Sequence, residues 1–490
     1  MRMRFGWILA GLSFVGCGGA RDMEPPVAQE QQVQAQACTP AMAAFKVKDL
    51  LPPGAPLPSP SRPIPDWLTN VAGTLYFTVD PYQGTAGLWR SDGTGVGTVP
   101  VKEFPFAGLN YRDFSSLTAV GSRVFFKMSD PATGFELWVS DGTAAGTRLV
   151  KDIVPGSANS ILSNLTDLGG VLTFFRREES AVELWRSDGT EAGTYRVVDF
   201  GSGASLSSST VRTNDALLFF LQDATHGTRL WRTDGTAAGT RLVKRVDAGA
   251  PFVTATRRLA NGNGLFTLDD SSGTEVWRTD GTAAGTVRLD TFGKQARLLG
   301  ALGSYVYLST LADDGERLKL NRLSLSGGGK TPVTTLPNPY PGQQDNTPSV
   351  QDSREAGGKL YLSVAISSPG PAPRQVGLWV TDGTAGGTRQ VSQGLTTSDE
   401  SSSPLFDTGS GTLLFSSWDG GLGLMPQVTN GTAAGTGRVT TTTSPGAETP
   451  EEFTRVGNRI YFRGFSGVWG DALWAVPANV TCTPLSASAE

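Results

Sequence analysis

The sequence predicts an all-β protein: a single β-propeller of about nine four-stranded blades, eight being the alternative count, closed by its own N-terminal strand. Three observations predict it. A phrase of the form Glu-Leu-Trp-x-Ser-Asp-Gly-Thr-x-x-Gly-Thr is fullest at residues 136–147. It returns around Trp89, Trp185, Trp231, Trp277 and Trp379, mostly at intervals of 46 to 49 residues, with about two intervals before Trp379. Aromatic-rich runs such as Val124-Phe125-Phe126 and Leu218-Phe219-Phe220 precede it, and apolar runs ending in a turn precede those. Finally, the two ends of the array complement each other.

Composition agrees. Gly occurs 62 times in 490 residues, and Ser and Thr crowd the segments between apolar runs, as expected of many short strands joined by turns. The net charge is −4 with scattered basic residues, so there is no nucleic-acid footprint. His226 is the single histidine, which excludes mechanisms needing two imidazoles, including a His-rich zinc site.

Taken in order, residues 1–16 read as a lipoprotein signal peptide. Arg2 and Arg4 form a basic start, and residues 5–16 are apolar but too short to span a bilayer as a mature helix. The run Ser13-Phe14-Val15-Gly16-Cys17 resembles a bacterial lipobox, which implies lipidation at Cys17; Phe14 departs from the usual Leu. A plain secretory signal is the alternative. Gly18 after the cysteine implies, by the same resemblance, sorting to the outer membrane. Residues 17–43 read as a flexible tether, 44–482 as the propeller and 483–490 as a tail.

Each repeat ends in a fourth strand such as Arg148-Leu149-Val150-Lys151. Two copies are worn. One places Leu318-Lys319-Leu320 in the Trp slot, and the other has Asn430 in place of Asp with no Trp before it. The last copy, around Trp474, lacks both the Asp-Gly-Thr loop and a fourth strand. The missing strand stands at the other end, where Phe45-Lys46-Val47-Lys48-Asp49-Leu50 matches the fourth-strand pattern. Antiparallel pairing of that strand with the last Trp strand brings Cys38 beside Cys482. In an exported protein this reads as a disulfide closing nearly the whole chain, worth about 4–5 kcal/mol in the chain-entropy model.

The twelve-residue phrase resembles that of the ELWxxDGT-repeat proteins, exported bacterial proteins named for it, and the resemblance covers nearly everything after the tether. It implies an architecture and no ligand. The Ser-Asp-Gly-Thr loop is also similar to the Asp-box of sialidase-type propellers, which implies a structural hairpin away from any active site.

Candidate site residues fall into three series. Asp92, Asp141, Asp188, Asp234, Asp280 and Asp382 precede Gly in the repeated loop and read as turn formers, with calcium ligation the alternative. Trp89, Trp138, Trp185, Trp231, Trp277, Trp379 and Trp474 read as inter-blade core. Asp80, Asp130, Asp223, Asp270, Asp314 and Asp419 follow the aromatic strand, at loops sharing a face with the blade connections. That is the candidate ligand face, weighed against ordinary turn formation. No catalytic residue, metal ligand or cofactor is assigned, because no nucleophile elbow, phosphate loop or metal-ligand cysteine pair occurs.

The resulting expectation is a non-enzymatic binding or scaffold module at the bacterial cell envelope, held to the membrane only by its lipid anchor. It would recognise a protein or polysaccharide, and not nucleic acid, through propeller loops. A propeller glycan hydrolase or lyase is one alternative, since paired carboxylates from different blades leave no local signature. A purely structural envelope component is the other. Cys38→Ser tests closure: the melting temperature should fall and Cys482 should become reactive to a thiol reagent. No change in either contradicts the closing disulfide.

Overall fold

The structure, a computed structural model, describes residues 36–37, 43–50, 63–82, 85–105, 114–178, 181–247, 252–339, 341–342, 347–366, 375–395, 405–418, 423–443, 446–467 and 470–482. It is an all-β ring of nine sheets, eight of them wholly antiparallel. Blades 1 to 8 occupy residues 65–105, 114–151, 161–202, 205–247, 252–292, 297–335, 349–392 and 406–438; blade 9 is built from 448–477 plus Phe45–Asp49. Eight sheets have four strands. Blade 8 gains a fifth, because Gln36–Ala37 pairs in parallel with Gly437 and Arg438. Those two residues fall in the segment expected to be tether.

The N-terminal strand closes the ring. Phe45, Lys46, Lys48 and Asp49 pair antiparallel with Ala475, Trp474, Leu473 and Ala472. Ala44 makes a parallel bridge to Thr441 of the neighbouring blade.

Strand alternation explains how the repeat packs. Successive side chains of a strand point to opposite faces, and here each face meets a different neighbouring blade. In blade 2, Trp138 joins Val71, Leu88 and Phe126 in the cluster shared with blade 1, while Leu137 joins Leu162 and Phe174 in the cluster shared with blade 3. Trp277 and Val276 divide in the same way between blades 4 and 6, as do Trp379 and Leu378 between blades 6 and 8. Second and third strands are therefore covered on both faces, which is why they read as near-continuous apolar runs. Each junction between neighbouring blades has its own cluster, including the one joining blade 9 to blade 1 around Val47, Leu75, Phe77 and Leu473.

Six of the seven repeat tryptophans lie directly opposite an aromatic residue of the second strand: Phe77–Trp89, Phe126–Trp138, Phe174–Trp185, Phe219–Trp231, Phe266–Trp277 and Phe462–Trp474; Trp379 faces Leu362 instead. Four of these pairs stack with ring centroids 5.9–6.4 Å apart. Such cross-strand aromatic pairs are the strong units of sheet stabilisation. The same register corrects the reading of the worn copies. In blade 6 the residue opposite Leu308 is Asn321, so Asn321, not Leu318–Leu320, holds the Trp slot. In blade 8 that slot belongs to Gln427, opposite Phe415.

Replacing Trp474, which is completely buried, with Ala should cost about 3–5 kcal/mol. Replacing the half-exposed Trp418 should stay within about 0.5 kcal/mol. Urea unfolding of the two variants checks the pair.

Candidate functional site

The loop between the third and fourth strands is a self-contained hydrogen-bonded unit. In blade 2, Asp141 Oδ1 accepts the N–H of Thr143 at 2.9 Å and its hydroxyl at 2.7 Å. Thr143 Oγ1 accepts Gly146 N–H at 2.9 Å, and the Thr147 hydroxyl donates to Thr143 O at 2.6 Å. Ser140 Oγ pairs with Thr147 Oγ1 at 2.7 Å and accepts Gly142 N–H at 3.0 Å. Gly142 sits at φ 90°, and a Cβ on Gly146 would lie 2.0 Å from the Asp141 carboxylate, so both glycines are obligatory. The network repeats around Asp92, Asp188, Asp234, Asp280 and Asp382. Asn430 reproduces it through its own Oδ1, at 3.0 and 2.7 Å from Thr432.

These loops also join the blades. Lys102, Lys151 and Lys244, on fourth strands, donate to the carbonyls of Thr147, Thr194 and Thr286 in the next blade's loop at 2.7–3.0 Å. Lys48, on the closing strand, does the same to Gly95 O at 2.9 Å.

The acids of the opposite loops are engaged locally. Asp130 Oδ1 accepts Ala132 N–H at 2.9 Å. Asp223 accepts the N–H groups of Thr225 and His226 at 2.9 and 2.7 Å, touches His226 Nδ1 at 2.9 Å and pairs with Arg229. Asp270 accepts from the N–H and hydroxyl of Ser272, both at 2.6 Å. Asp314 takes Glu316 N–H at 3.0 Å and Arg317 Nε at 2.5 Å. Burial pushes Asp223 up, but the His226 bonds and the Arg229 charge outweigh it and hold the carboxyl below its ordinary value. The Ser272 bonds lower Asp270, and Glu316 and Arg317 lower Asp314. The Asp80 side chain and Asp419 lie outside the described residues.

The first strands of successive blades lie against one another and form the inner wall of the ring. Several carry a residue at positive φ that bulges the strand, such as Trp67, Ser116, Asn164 and Glu452. Two regions of this wall differ in charge. At the junction of blades 9 and 1, Arg463 pairs with Glu451 and lies 3.8 Å from Asp66. Glu452 accepts Leu68 N–H at 3.3 Å, and burial, reinforced by the Asp66 charge, raises its pKa. On blades 4 to 6 a cavity of about 690 Å³ is lined by Ser208, Ser209, Thr254, Asp269, Arg257 and Arg297, among others. Crowding by the wall lowers the pKa of Arg297; Asp352 opposes that and Arg257 adds to it. Sequence reasoning missed this region, whose residues come from three repeats and form no local motif.

Fold and geometry together define a closed nine-bladed β-propeller. No family model matches the chain, and neither does any curated protein. Among solved structures it is similar to the tricorn protease, at 11% identity over 81% of this chain and 41% of that one, with a TM-score of 0.35. It is also similar to Porphyromonas gingivalis dipeptidyl peptidase 4, at 12% identity over 74% and 58%, with a TM-score of 0.47. A third likeness is to the dihydro-heme d1 dehydrogenase NirN, at 15% identity over 79% and 75%, with a TM-score of 0.42. The chain thus spans about half the length of the two peptidases. At these scores the likenesses carry no argument about chemistry.

The loop network gives a pH prediction. Hydrogen bonds from the following Thr hold Asp141, Asp188 and Asp382 below the ordinary value of 3.8. Groups depressed in the folded state stabilise it fully above their unfolded pKa, and that contribution is lost as pH falls through the folded value. Exchanging these three residues for Asn, as blade 8 has naturally, should leave the melting temperature at pH 7 nearly unchanged and shrink its drop between pH 5 and 3. Equal acid sensitivity in the variant contradicts the assignment.

Proposed function

We propose that this chain is an exported, lipid-anchored member of the ELWxxDGT-repeat proteins that binds a polysaccharide or protein at the bacterial cell envelope without catalysing a reaction. The observation that carries the reading is the hydroxyl-lined cavity on the inner wall of blades 4 to 6, a concave site on a rigid scaffold. The acids of the loop face support the non-catalytic half. Asp130, Asp223, Asp270 and Asp314 are each held in their own turn, and the last three are shifted downward, the wrong direction for a general acid.

The lipid anchor rests on the lipobox-like run ending at Cys17. A Cys38–Cys482 bridge is part of the same proposal. In its support, Cys482 is buried and packs in the core of blades 8 and 9 with Ala44, Val439 and Val480. Cys17 and Cys38 lie outside the described residues.

The test is a glycan-array screen of the purified chain, run with calcium and again with chelator, alongside envelope pull-downs. The reading predicts binding that survives chelation, because the loop carboxylates already serve backbone and side-chain donors. Binding abolished by chelator would instead make the Asp130, Asp223 and Asp270 loops a calcium-dependent ligand site. Silence in every arm would contradict a binding role.

A further inference from the structure

We propose that the cavity on blades 4 to 6 is a binding site for an anionic saccharide, with Arg257 and Arg297 holding the acid group and the surrounding hydroxyls and Asp269 holding the sugar. This rests on the reading that the propeller binds a polysaccharide.

Arg257 and Arg297 are the two arginines that line the cavity, and, like Arg278 and Arg354 but unlike the arginines that follow, neither forms an ion pair among the described residues. Arg176, Arg196, Arg229, Arg288, Arg317 and Arg463 each form an ion pair with a carboxylate. Among the described residues Arg257 and Arg297 have only neutral hydrogen-bond partners. Arg257 donates to Thr256 O at 3.3 Å and to Ser353 Oγ at 3.4 Å, and Arg297 donates to Gln351 O at 2.6 Å. A guanidinium has five N–H donors, so most of theirs find no acceptor on the described wall. Yet the two lie close enough for the charge of Arg257 to bear on Arg297.

Asp352 offsets part of the charge of Arg297, but neither arginine forms an ion pair among the described residues. Asp352 accepts Ser353 N–H at 2.7 Å and Leu405 N–H at 3.3 Å. Asp269 lines the same cavity, with one carboxylate oxygen buried and unpartnered. Two adjacent, unpaired guanidiniums repel each other, and a ligand acid that bridges them removes the repulsion. Their planar forks fit a carboxylate or sulfate ester in bidentate fashion.

The rest of the lining selects the ligand class. Ser208, Ser209 and Thr254 offer hydroxyls that both donate and accept, and Asp269 offers a strong acceptor, a set matched to sugar hydroxyls. Among the described residues no aromatic side chain lines the cavity, so a nucleobase finds no ring there to stack on. The volume falls within the range of about 300–1,000 Å³ usual for small-molecule sites. In a nine-membered ring, blade 5 stands opposite the junction of blades 9 and 1, where Asp66, Glu451 and Glu452 gather. An anion entering along the axis would be directed away from those acids and toward the arginines.

Calorimetric titration of the full chain tests this with three probes: a uronic-acid tetrasaccharide, its methyl ester, and a sulfated tetrasaccharide of similar size. The uronate is expected to bind, its neutral ester at least tenfold more weakly. The sulfated probe distinguishes carboxylate from sulfate-ester ligands. Arg257→Gln and Arg297→Gln should each weaken the acidic probe at least tenfold while the melting temperature stays within about two degrees, since neither substitution breaks an ion pair. Equal affinity for acid and ester, or acid binding indifferent to both substitutions, would overturn the inference and leave the broader binding role standing. Failure of every acidic probe to bind would also overturn it. If neutral glycans and envelope proteins failed as well, the broader role would fall with it.

Discussion

The pairing of Phe45–Asp49 with Asp471–Pro477 is the constraint on which the rest of the ring depends. Without it blade 9 has three strands and an open edge, and the core between blades 9 and 1 loses Val47 and Leu50. Burying two such side chains is worth about 1.5–3 kcal/mol each. The larger consequence is topological. An open stack leaves two terminal faces uncovered, whereas a closed one gives every blade two neighbours. Lys48 shows how fully the strand substitutes for a local one, since it grips the first blade's loop as Lys102 and Lys151 grip theirs.

Closure separates two kinds of chemistry in one repeat. The outer half of most blades repeats one pattern: the Trp–aromatic pair recurs in six blades, the Asp-Gly-Thr loop in six, and a lysine reaches into the next loop at four junctions. The inner wall is not uniform. Its first strands carry acids at the junction of blades 9 and 1, and two unpaired arginines at blades 5 and 6. The repeated half builds a rigid ring, and recognition is left to the half where the repeats diverge. Glu136 links the two. Its side chain is fully buried, and Oε1 accepts Val154 N–H at 3.0 Å and the Ser160 hydroxyl at 2.7 Å, which anchors the connection to blade 3.

Much of this was legible in the chain because the repeat is written in residues with narrow physical uses. Asp-Gly-Thr-x-x-Gly-Thr needs its aspartate for two donors and its glycines for a positive φ and a missing Cβ, so the loop could be read from one copy. The terminal strand was visible because Phe45 to Leu50 copies the fourth-strand pattern. The first strands were harder to read. A residue at positive φ, as in Trp67-Leu68-Thr69 or Asn164-Leu165-Thr166, breaks the alternation that marks a strand. Asn321 and Gln427 hid the Trp slot because register, not residue type, defines it. The cavity left no signature at all, since Ser209, Arg257 and Arg297 are about one repeat apart and ordinary in their own surroundings.

Hydrogen–deuterium exchange across the closing blade tests the central claim most directly. The account predicts that amides of residues 45–49 exchange as slowly as those of residues 471–477, and that both are released together under mild denaturant, because they belong to one sheet. Rapid exchange at 45–49 beside continued protection at 471–477 would mean that the N-terminal segment does not close the ring.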